Sequence, residues 1–144
     1  MVSVSSARVL LSDDHAIVRH GLLTILEDTE QFEVRGEAAE GSQTIQLATQ
    51  LAPDILILDI SMPPPNGLEV AAQLHQTLPD TKILMITMNE SDEMLRAAGA
   101  AGASGYLLKS DAEQLLTVAL NLLEEGRSSA RPVFSPELAK QLFD

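Results

Sequence analysis

Ile55-Leu56-Ile57-Leu58-Asp59 places four consecutive aliphatic side chains directly before an acid. An uninterrupted aliphatic run of this length is typical of a central parallel strand that is buried on both faces. The chain then turns at once, at Ser61-Met62-Pro63-Pro64-Pro65-Asn66-Gly67. Because chemistry in open parallel sheets lies at the carboxyl ends of the strands, Asp59 stands where a functional side chain is expected. Considered alone, Asp59 is better explained as a polar strand terminus.

Four further strands are predicted on either side of this one, three of them apolar runs and one an alternating, more exposed edge strand, and segments with helical periodicity separate them. The predicted strands are Ala7–Ser12, Phe32–Ala38, Ile55–Asp59, Lys82–Thr87 and Ser104–Leu108, and the predicted helices begin near Ile17, Ile45, Asn66, Ser91 and Asp111. Strictly alternating strands and helices imply parallel strands joined by right-handed crossovers, with helices on both faces of the sheet. We therefore predict a doubly wound, five-stranded parallel α/β domain.

Composition limits the classes of protein to which the chain can belong. Its 144 residues suffice for one domain with a sizeable core, and with only 3% aromatic residues that core must be aliphatic. The absence of cysteine excludes disulfides and thiolate metal ligands and fits a cytoplasmic location. We find no signal peptide and no apolar run long enough to span a membrane. A net charge of -12 disfavours direct nucleic acid binding and suits a cation or a basic partner.

Polar residues follow four of the five predicted strands, at what we expect to be one rim of the sheet. They are Asp13 and Asp14 after the first strand, Asp59 in the third, Thr87 in the fourth and Lys109 after the fifth. Crowded carboxylates repel one another unless a cation joins them, and oxygen ligands favour a hard ion such as Mg²⁺. Phosphoryl transfer needs a nucleophile, which Asp59 can be, and fixed positive charge, which Lys109 can supply. Each residue has a structural explanation by itself, but the combination favours phosphoryl transfer.

These motifs resemble the receiver domain of two-component response regulators. The resemblance runs from about Ala7 to Gly126, and four motifs carry it: Ser12-Asp13-Asp14-His15, Leu58-Asp59-Ile60-Ser61-Met62-Pro63, Ile86-Thr87-Met88 and Gly105-Tyr106-Leu107-Leu108-Lys109. It implies a flavodoxin-like fold with the strand order 2-1-3-4-5. It also implies a protein that takes a phosphoryl group from a histidine kinase and switches its output surface in response.

The resemblance implies a role for each residue of the site. Asp59 is expected to be the phosphoacceptor, with Thr87 and Lys109 contacting the phosphoryl group. Mg²⁺ is expected to bind Asp13, Asp14, Asp59 and the backbone carbonyl of Ser61. Thr87 and Tyr106 are expected to be the switch residues, and Ser61 and Asn89 to tune the rate of dephosphorylation.

A subfamily is implied as well, namely the regulators that carry a LuxR-type (NarL-type) DNA-binding domain after the receiver. The motifs behind this are Asp13-Asp14-His15, Gly102–Lys109 and Phe134–Ala139. We expect a flexible N-terminus at residues 1–6, a receiver domain at 7–126, and a linker with a short helix at 127–144 that leads toward a helix-turn-helix domain outside this chain. The implied partners are a sensor histidine kinase, a second copy bound through the fourth helix, fifth strand and fifth helix, and DNA only through the C-terminal domain. No membrane partner is expected.

Three other functions stay open from the sequence. Aspartyl-phosphate phosphohydrolases commonly have a second acid two residues after the nucleophile, where this chain has Ser61. A nucleotide or flavin binder needs a phosphate-binding loop after the first strand, where Asp13 and Asp14 would repel phosphate. The third alternative is a receiver-like module that acts without phosphorylation. Pro64-Pro65 keeps it open, because it departs from the family pattern of glycine and an apolar residue and predicts a stiffer loop. We expect no enzyme activity beyond self-phosphotransfer and autodephosphorylation.

Overall fold

The computed structural model describes residues 6–88, 91–125 and 133–134, in which strands and helices alternate as predicted. The elements are, in chain order, β1 (Ala7–Ser12), α1 (Ala16–Glu27), β2 (Phe32–Ala38), α2 (Gly41–Leu51), β3 (Ile55–Asp59), α3 (Gly67–Thr77), β4 (Lys82–Thr87), α4 (Asp92–Ala100), β5 (Gly105–Leu108), α5 (Ala112–Glu125) and β6 (Val133–Phe134). A 3₁₀ turn, Lys109–Asp111, joins β5 to α5.

Neighbouring strands are parallel throughout the described part of the sheet, in the order β2-β1-β3-β4-β5-β6. The predicted order 2-1-3-4-5 is therefore confirmed. The short strand β6 extends it at the edge, where Val133 and Phe134 pair with Gly105 and Tyr106. This strand was not predicted from the sequence, because two residues are too few to show a periodicity. The rest of the predicted linker and short helix lies outside the described residues.

The central strand β3 lies between β1 and β4, and all of its residues are buried. Ile55 and Ile57 belong to the core on the face covered by α1 and α5. Leu56 and Leu58 belong to the core on the opposite face, beneath α2, α3 and α4. Since successive side chains of a strand point to opposite faces, a strand covered on both faces must be apolar at every position. This arrangement explains the uninterrupted aliphatic run.

The loop from β3 to α3 packs closely against its neighbours at two glycines. A side chain at Gly67 would collide with the backbone of Asp59, and one at Gly41 would collide with the backbone and ring of Pro65. The Pro64–Pro65 peptide bond in this loop is cis. The backbone of this loop lies so close to the end of β3 and the start of α2 that only glycine fits at positions 41 and 67.

Two helices, α3 and α4, begin directly after Asn66 and Ser91, the residues near which the sequence predicts their starts. Asn66 Oδ1 accepts the backbone N–H of Glu69 at 3.0 Å, and Glu69 Oε1 accepts the backbone N–H of Asn66 at 3.0 Å. This reciprocal pair satisfies two amides that would otherwise lack partners at the start of α3. Ser91 caps α4 by accepting the backbone N–H of Met94 at 3.3 Å. Within the described residues, none of the helices combines the length and apolarity that crossing a bilayer requires.

Candidate functional site

The carboxyl ends of β1, β3, β4 and β5 meet at one rim of the sheet, as the parallel arrangement requires. Asp13, directly after β1, and Asp59, at the end of β3, are both 0% exposed. Thr87 at the end of β4 is buried, and the Lys109 side chain after β5 is only 7% exposed. Asp14 is exposed. The five residues predicted for the site therefore lie on the same rim; three of them are buried, and the side chain of Lys109 is nearly so.

The ammonium of Lys109 lies between the two buried carboxylates. Its Nζ is 2.9 Å from Asp13 Oδ2 and 3.3 Å from Asp59 Oδ2. Neither contact has the direction of a good hydrogen bond, so charge attraction holds these groups together. A single ammonium facing two carboxylates leaves one negative charge in excess, even before Asp14 is counted. The pocket therefore attracts a further cation.

The pKa of Asp59 is raised from 3.8 to about 6. Burial is the largest cause, because it removes solvent from the charged form, and the charge of Asp13 raises the pKa further. The backbone N–H of Ser61, which donates to Asp59 Oδ1 at 3.1 Å, and the ammonium of Lys109 act in the opposite direction. At neutral pH Asp59 is thus an ionised but destabilised carboxylate, and such a group gains from binding a cation.

Lys109 stays charged in this pocket. Burial by itself would lower the pKa of Lys109, but the short contact with Asp13 and the charges of Asp59 and Asp13 together raise it above its ordinary value of 10.5. The side chain is therefore a fixed positive charge over the whole physiological pH range. A fixed charge at this position can stabilise negative charge that develops on an incoming group.

The turn after β1 orients the acid pair through two residues to which the sequence analysis gave no role. Asp13 Oδ1 accepts the backbone N–H of His15 at 2.8 Å. The His15 ring also faces the acids, with Nδ1 at 3.2 Å from Asp13 Oδ1 and 3.1 Å from Asp14 Oδ1. Arg19 Nη1 donates to the backbone carbonyl of Asp13 at 2.6 Å, and its Nε lies 3.4 Å from Glu37 Oε1.

For one of these two residues, a role in the site could have been predicted from the sequence. His15 follows two acids directly, and a histidine next to carboxylates is a signal for a metal or proton site. Arg19 gave no such signal, since its contact with Asp13 exists only because the first turn of α1 brings the two residues together.

A buried polar contact lies next to the acidic pocket, at the end of β1. Ser12 Oγ and Thr44 Oγ1 are 2.5 Å apart, and Ser12 Oγ lies 3.4 Å from Met62 Sδ. These contacts join the end of β1 to α2 and to the loop that follows Asp59. Both hydroxyl groups are buried, and Thr44 Oγ1 also donates to the backbone carbonyl of Glu40 at 2.8 Å, so the contact belongs to a small buried network.

The other predicted site residues lie around this pocket or outside the described part of the chain. Ser61 has an exposed side chain, and it contacts Asp59 through its backbone N–H. Tyr106 in β5 pairs in register with Met85 and is buried in the core on the α2–α4 face, so its ring packs inward. Asn89 lies outside the described residues.

The donor set at this rim fits a divalent cation. Asp13, Asp14, His15 and Asp59 each offer one ligand atom, and these four atoms all lie within 4.8 Å of one another. Asp13 Oδ2 and Asp59 Oδ2 are buried and accept no well-directed hydrogen bond. Buried carboxylate oxygens with excess negative charge match the preference of a hard ion such as Mg²⁺.

Comparison with known proteins identifies one family. Residues 9–121 match the response regulator receiver domain. The oxygen regulatory protein NreC of Staphylococcus epidermidis is 38% identical over 122 residues, which make up 84% of this chain and 56% of that protein. The response regulator GacA of Pseudomonas aeruginosa is 33% identical over 136 residues, which make up 94% of this chain and 64% of that protein. The chain thus spans somewhat more than half the length of these curated relatives.

Solved structures agree with the sequence relatives. A LuxR-family two-component response regulator from Aurantimonas sp. SI85-9A1 superposes with a TM-score of 0.88 at 33% identity, covering 96% of each chain. The isolated REC domain of RcsB from Salmonella enterica serovar Typhimurium, solved in the presence of the phosphomimetic BeF3-, superposes with a TM-score of 0.84 at 27% identity. That superposition covers 94% of this chain and 98% of the RcsB domain.

Proposed function

The chain belongs to the response regulator receiver domain family, in its LuxR-type subfamily, and on this premise we propose that Asp59 accepts a phosphoryl group from a sensor histidine kinase. One observation carries the proposal. The carboxylates of Asp13 and Asp59, with the ammonium of Lys109 between them, form a buried acidic pocket at the ends of β1, β3 and β5. Such a pocket offers a nucleophile, a cation site and a fixed positive charge within one small volume.

In the proposed reaction a carboxylate oxygen of Asp59 attacks the phosphorus of phosphohistidine. An O–P bond forms as the P–N bond breaks, and the bonding electrons leave with the imidazole of the kinase. Asp59 must be ionised to attack, and with a pKa of about 6 it is mostly ionised at neutral pH. The product is an acyl phosphate whose phosphoryl oxygens carry about two negative charges, so the pocket needs its cation and Lys109 more after the reaction than before it.

The charges around Asp59 serve the transferring group. Mg²⁺ would be held by Asp13, Asp14, Asp59 and the backbone carbonyl of Ser61, and when bound it would supply positive charge to the phosphoryl oxygens. Lys109 provides fixed positive charge from the chain itself. We further propose that the Thr87 hydroxyl donates a hydrogen bond to a phosphoryl oxygen.

Phosphorylation would then change the surface formed by α4, β5 and α5. We assign Thr87 and Tyr106 as the switch residues, because Thr87 ends the strand β4 that pairs with the strand of Tyr106. A phosphoryl group can shift the equilibrium between two conformations only by interacting differently with each of them. In one of the two conformations Thr87 would move toward the phosphoryl group, and the buried ring of Tyr106 would move into the space that Thr87 leaves. This movement would supply the difference. Pairing with a second copy through this surface is one output of the change.

For the full-length protein we propose a cytoplasmic transcription regulator. Residues 7–126 act as the receiver, and residues 127–144 lead toward a DNA-binding domain that phosphorylation controls. Autodephosphorylation resets the receiver, and Ser61 and Asn89 tune its rate. On this proposal the domain turns over no external substrate continuously.

The test is intact-mass measurement after incubation with Mg²⁺ and acetyl phosphate, a small phosphodonor. We expect one phosphoryl adduct on the wild type and on Asp80→Asn, a matched control at an exposed position. We expect none on Asp59→Asn. An adduct that persists on Asp59→Asn would place the phosphate elsewhere. No adduct on the wild type, with Mg²⁺ shown to bind, would favour a module that acts without phosphorylation.

A further inference from the structure

His15 contacts the acid pair in a way that the proposed carboxylate site does not use. It is the N-cap residue of α1, yet its side chain makes no capping hydrogen bond to the helix. The ring lies instead beside the acids, with Nδ1 at 3.1 Å from Asp14 Oδ1 and 3.2 Å from Asp13 Oδ1. Helix capping therefore does not explain the orientation of this side chain.

The contact of Nδ1 with Asp13 Oδ1 is within hydrogen-bonding distance, and both distances also match two ligands of a shared metal ion. Neighbouring corners of an octahedron with metal–ligand bonds of about 2.1 Å lie about 3 Å apart. His15 Nδ1 stands at that separation from one oxygen of Asp13 and one of Asp14, and Asp59 completes a group whose ligand atoms all lie within 4.8 Å of one another. A single ion can therefore reach an imidazole nitrogen together with the carboxylates.

A second observation favours a further cation in this pocket, beside the ammonium of Lys109. Asp13 Oδ2 and Asp59 Oδ2 are buried without a well-directed hydrogen bond, and the ammonium of Lys109 is shared between them. Buried carboxylates with only one positive charge between them are costly, and a divalent ion would remove that cost. The cation site is therefore indicated by the buried oxygens independently of His15.

We propose that His15 Nδ1 is a metal ligand, so that this site prefers a divalent first-row transition ion such as Mn²⁺ or Co²⁺ over Mg²⁺. The inference rests on the proposed function, because it uses the same acidic pocket. Imidazole binds transition ions well, whereas Mg²⁺ is bound chiefly through carboxylates and water. The His15 side chain is 59% exposed, so Nε2–H can donate to water while Nδ1 faces the metal.

Pulsed electron paramagnetic resonance of Mn²⁺ tests the bond directly, because a coordinated ¹⁴N nucleus modulates the electron spin echo. We expect ¹⁴N modulation in the wild-type chain and its loss in His15→Gln. His20→Gln is the matched control, since His20 is an exposed histidine of α1 and the chain has 3 histidines in all. Modulation that is absent from the wild type, or that survives in His15→Gln, would overturn the proposal.

Calorimetric titration with Co²⁺ and with Mg²⁺ provides a second measurement. We expect His15→Gln to weaken Co²⁺ binding by about tenfold or more and to change Mg²⁺ binding by about twofold at most, following the usual effect of altering a metal site. If His15→Gln weakens the binding of Co²⁺ and of Mg²⁺ equally, His15 only orients the carboxylates, and the proposal is overturned.

The two proposals fail in different ways. If Mg²⁺ binds and acetyl phosphate modifies Asp59, but no ¹⁴N signal appears, only the role of His15 is wrong. If neither ion binds the wild-type chain, the acidic pocket is not a cation site, and both proposals fall together.

Discussion

Replacing Asp59 by asparagine is expected to stabilise the metal-free domain, although it removes the proposed phosphoacceptor. Burial raises the pKa of Asp59 from 3.8 to about 6, so the folded state binds a proton more tightly than the unfolded chain does. Below about pH 4 Asp59 is protonated in both the folded and the unfolded state and does not lower the free energy of unfolding. Above about pH 6 it lowers the free energy of unfolding by the full amount that corresponds to the difference between the two pKa values. The stability gained by Asp59→Asn should therefore grow as the pH rises.

The size of the gain follows from the pKa. A shift from 3.8 to about 6 is about 2 units, and each unit is worth about 1.4 kcal/mol, which gives about 3 kcal/mol at neutral pH as an upper value. Water at the mouth of the pocket screens part of this, so we expect about 1–3 kcal/mol at pH 7.5 and about 1 kcal/mol or less at pH 4.5.

Urea unfolding followed by circular dichroism, in the presence of a chelator, measures this difference. The control is Asp80→Asn, which removes the same charge from an exposed position and should change stability by no more than about 0.5 kcal/mol. Adding Mg²⁺ should stabilise the wild type by mass action and reduce the advantage of Asp59→Asn. A gain that is independent of pH, or a loss of stability at neutral pH, would refute the reasoning.

Four further variants test individual positions in the structure. Gly67→Ala should destabilise the domain by more than about 2 kcal/mol in urea unfolding, because the Cβ of the new alanine would meet backbone atoms. Gly99→Ala should instead stabilise the domain by up to about 1 kcal/mol, because Gly99 lies in helix α4 with open space around it. Lys109→Met should cost about 3 kcal/mol at neutral pH in the absence of metal, measured the same way, because it leaves buried carboxylates without their cation. Arg19→Met should weaken Mg²⁺ binding by about tenfold in calorimetry, because it frees the carbonyl of Asp13.

Much of the site could be predicted because its residues stand at the ends of recognisable strands. Asp59 ends an uninterrupted aliphatic run, and Asp13 and Lys109 directly follow two other apolar runs. Once alternation fixes the strands as parallel, their carboxyl ends must share a rim, so the predicted residues converge without any knowledge of distances. The contacts of Arg19 and of Thr44 escaped the sequence analysis, because each reaches the end of β1 from a helix whose rotation the sequence leaves open.

The amino-acid sequence by itself determined the kind of each element, the doubly wound class and the chemical types gathered at the rim. It did so because apolar periodicity records which faces of a strand or helix are buried, and that record is local. Only the tertiary structure decided that one ammonium lies between Asp13 and Asp59, that the pKa of Asp59 rises to about 6, and that His15 faces two carboxylates. Those properties depend on solvent removed and on charges brought within a few ångströms by strands far apart in the chain, which no local pattern encodes.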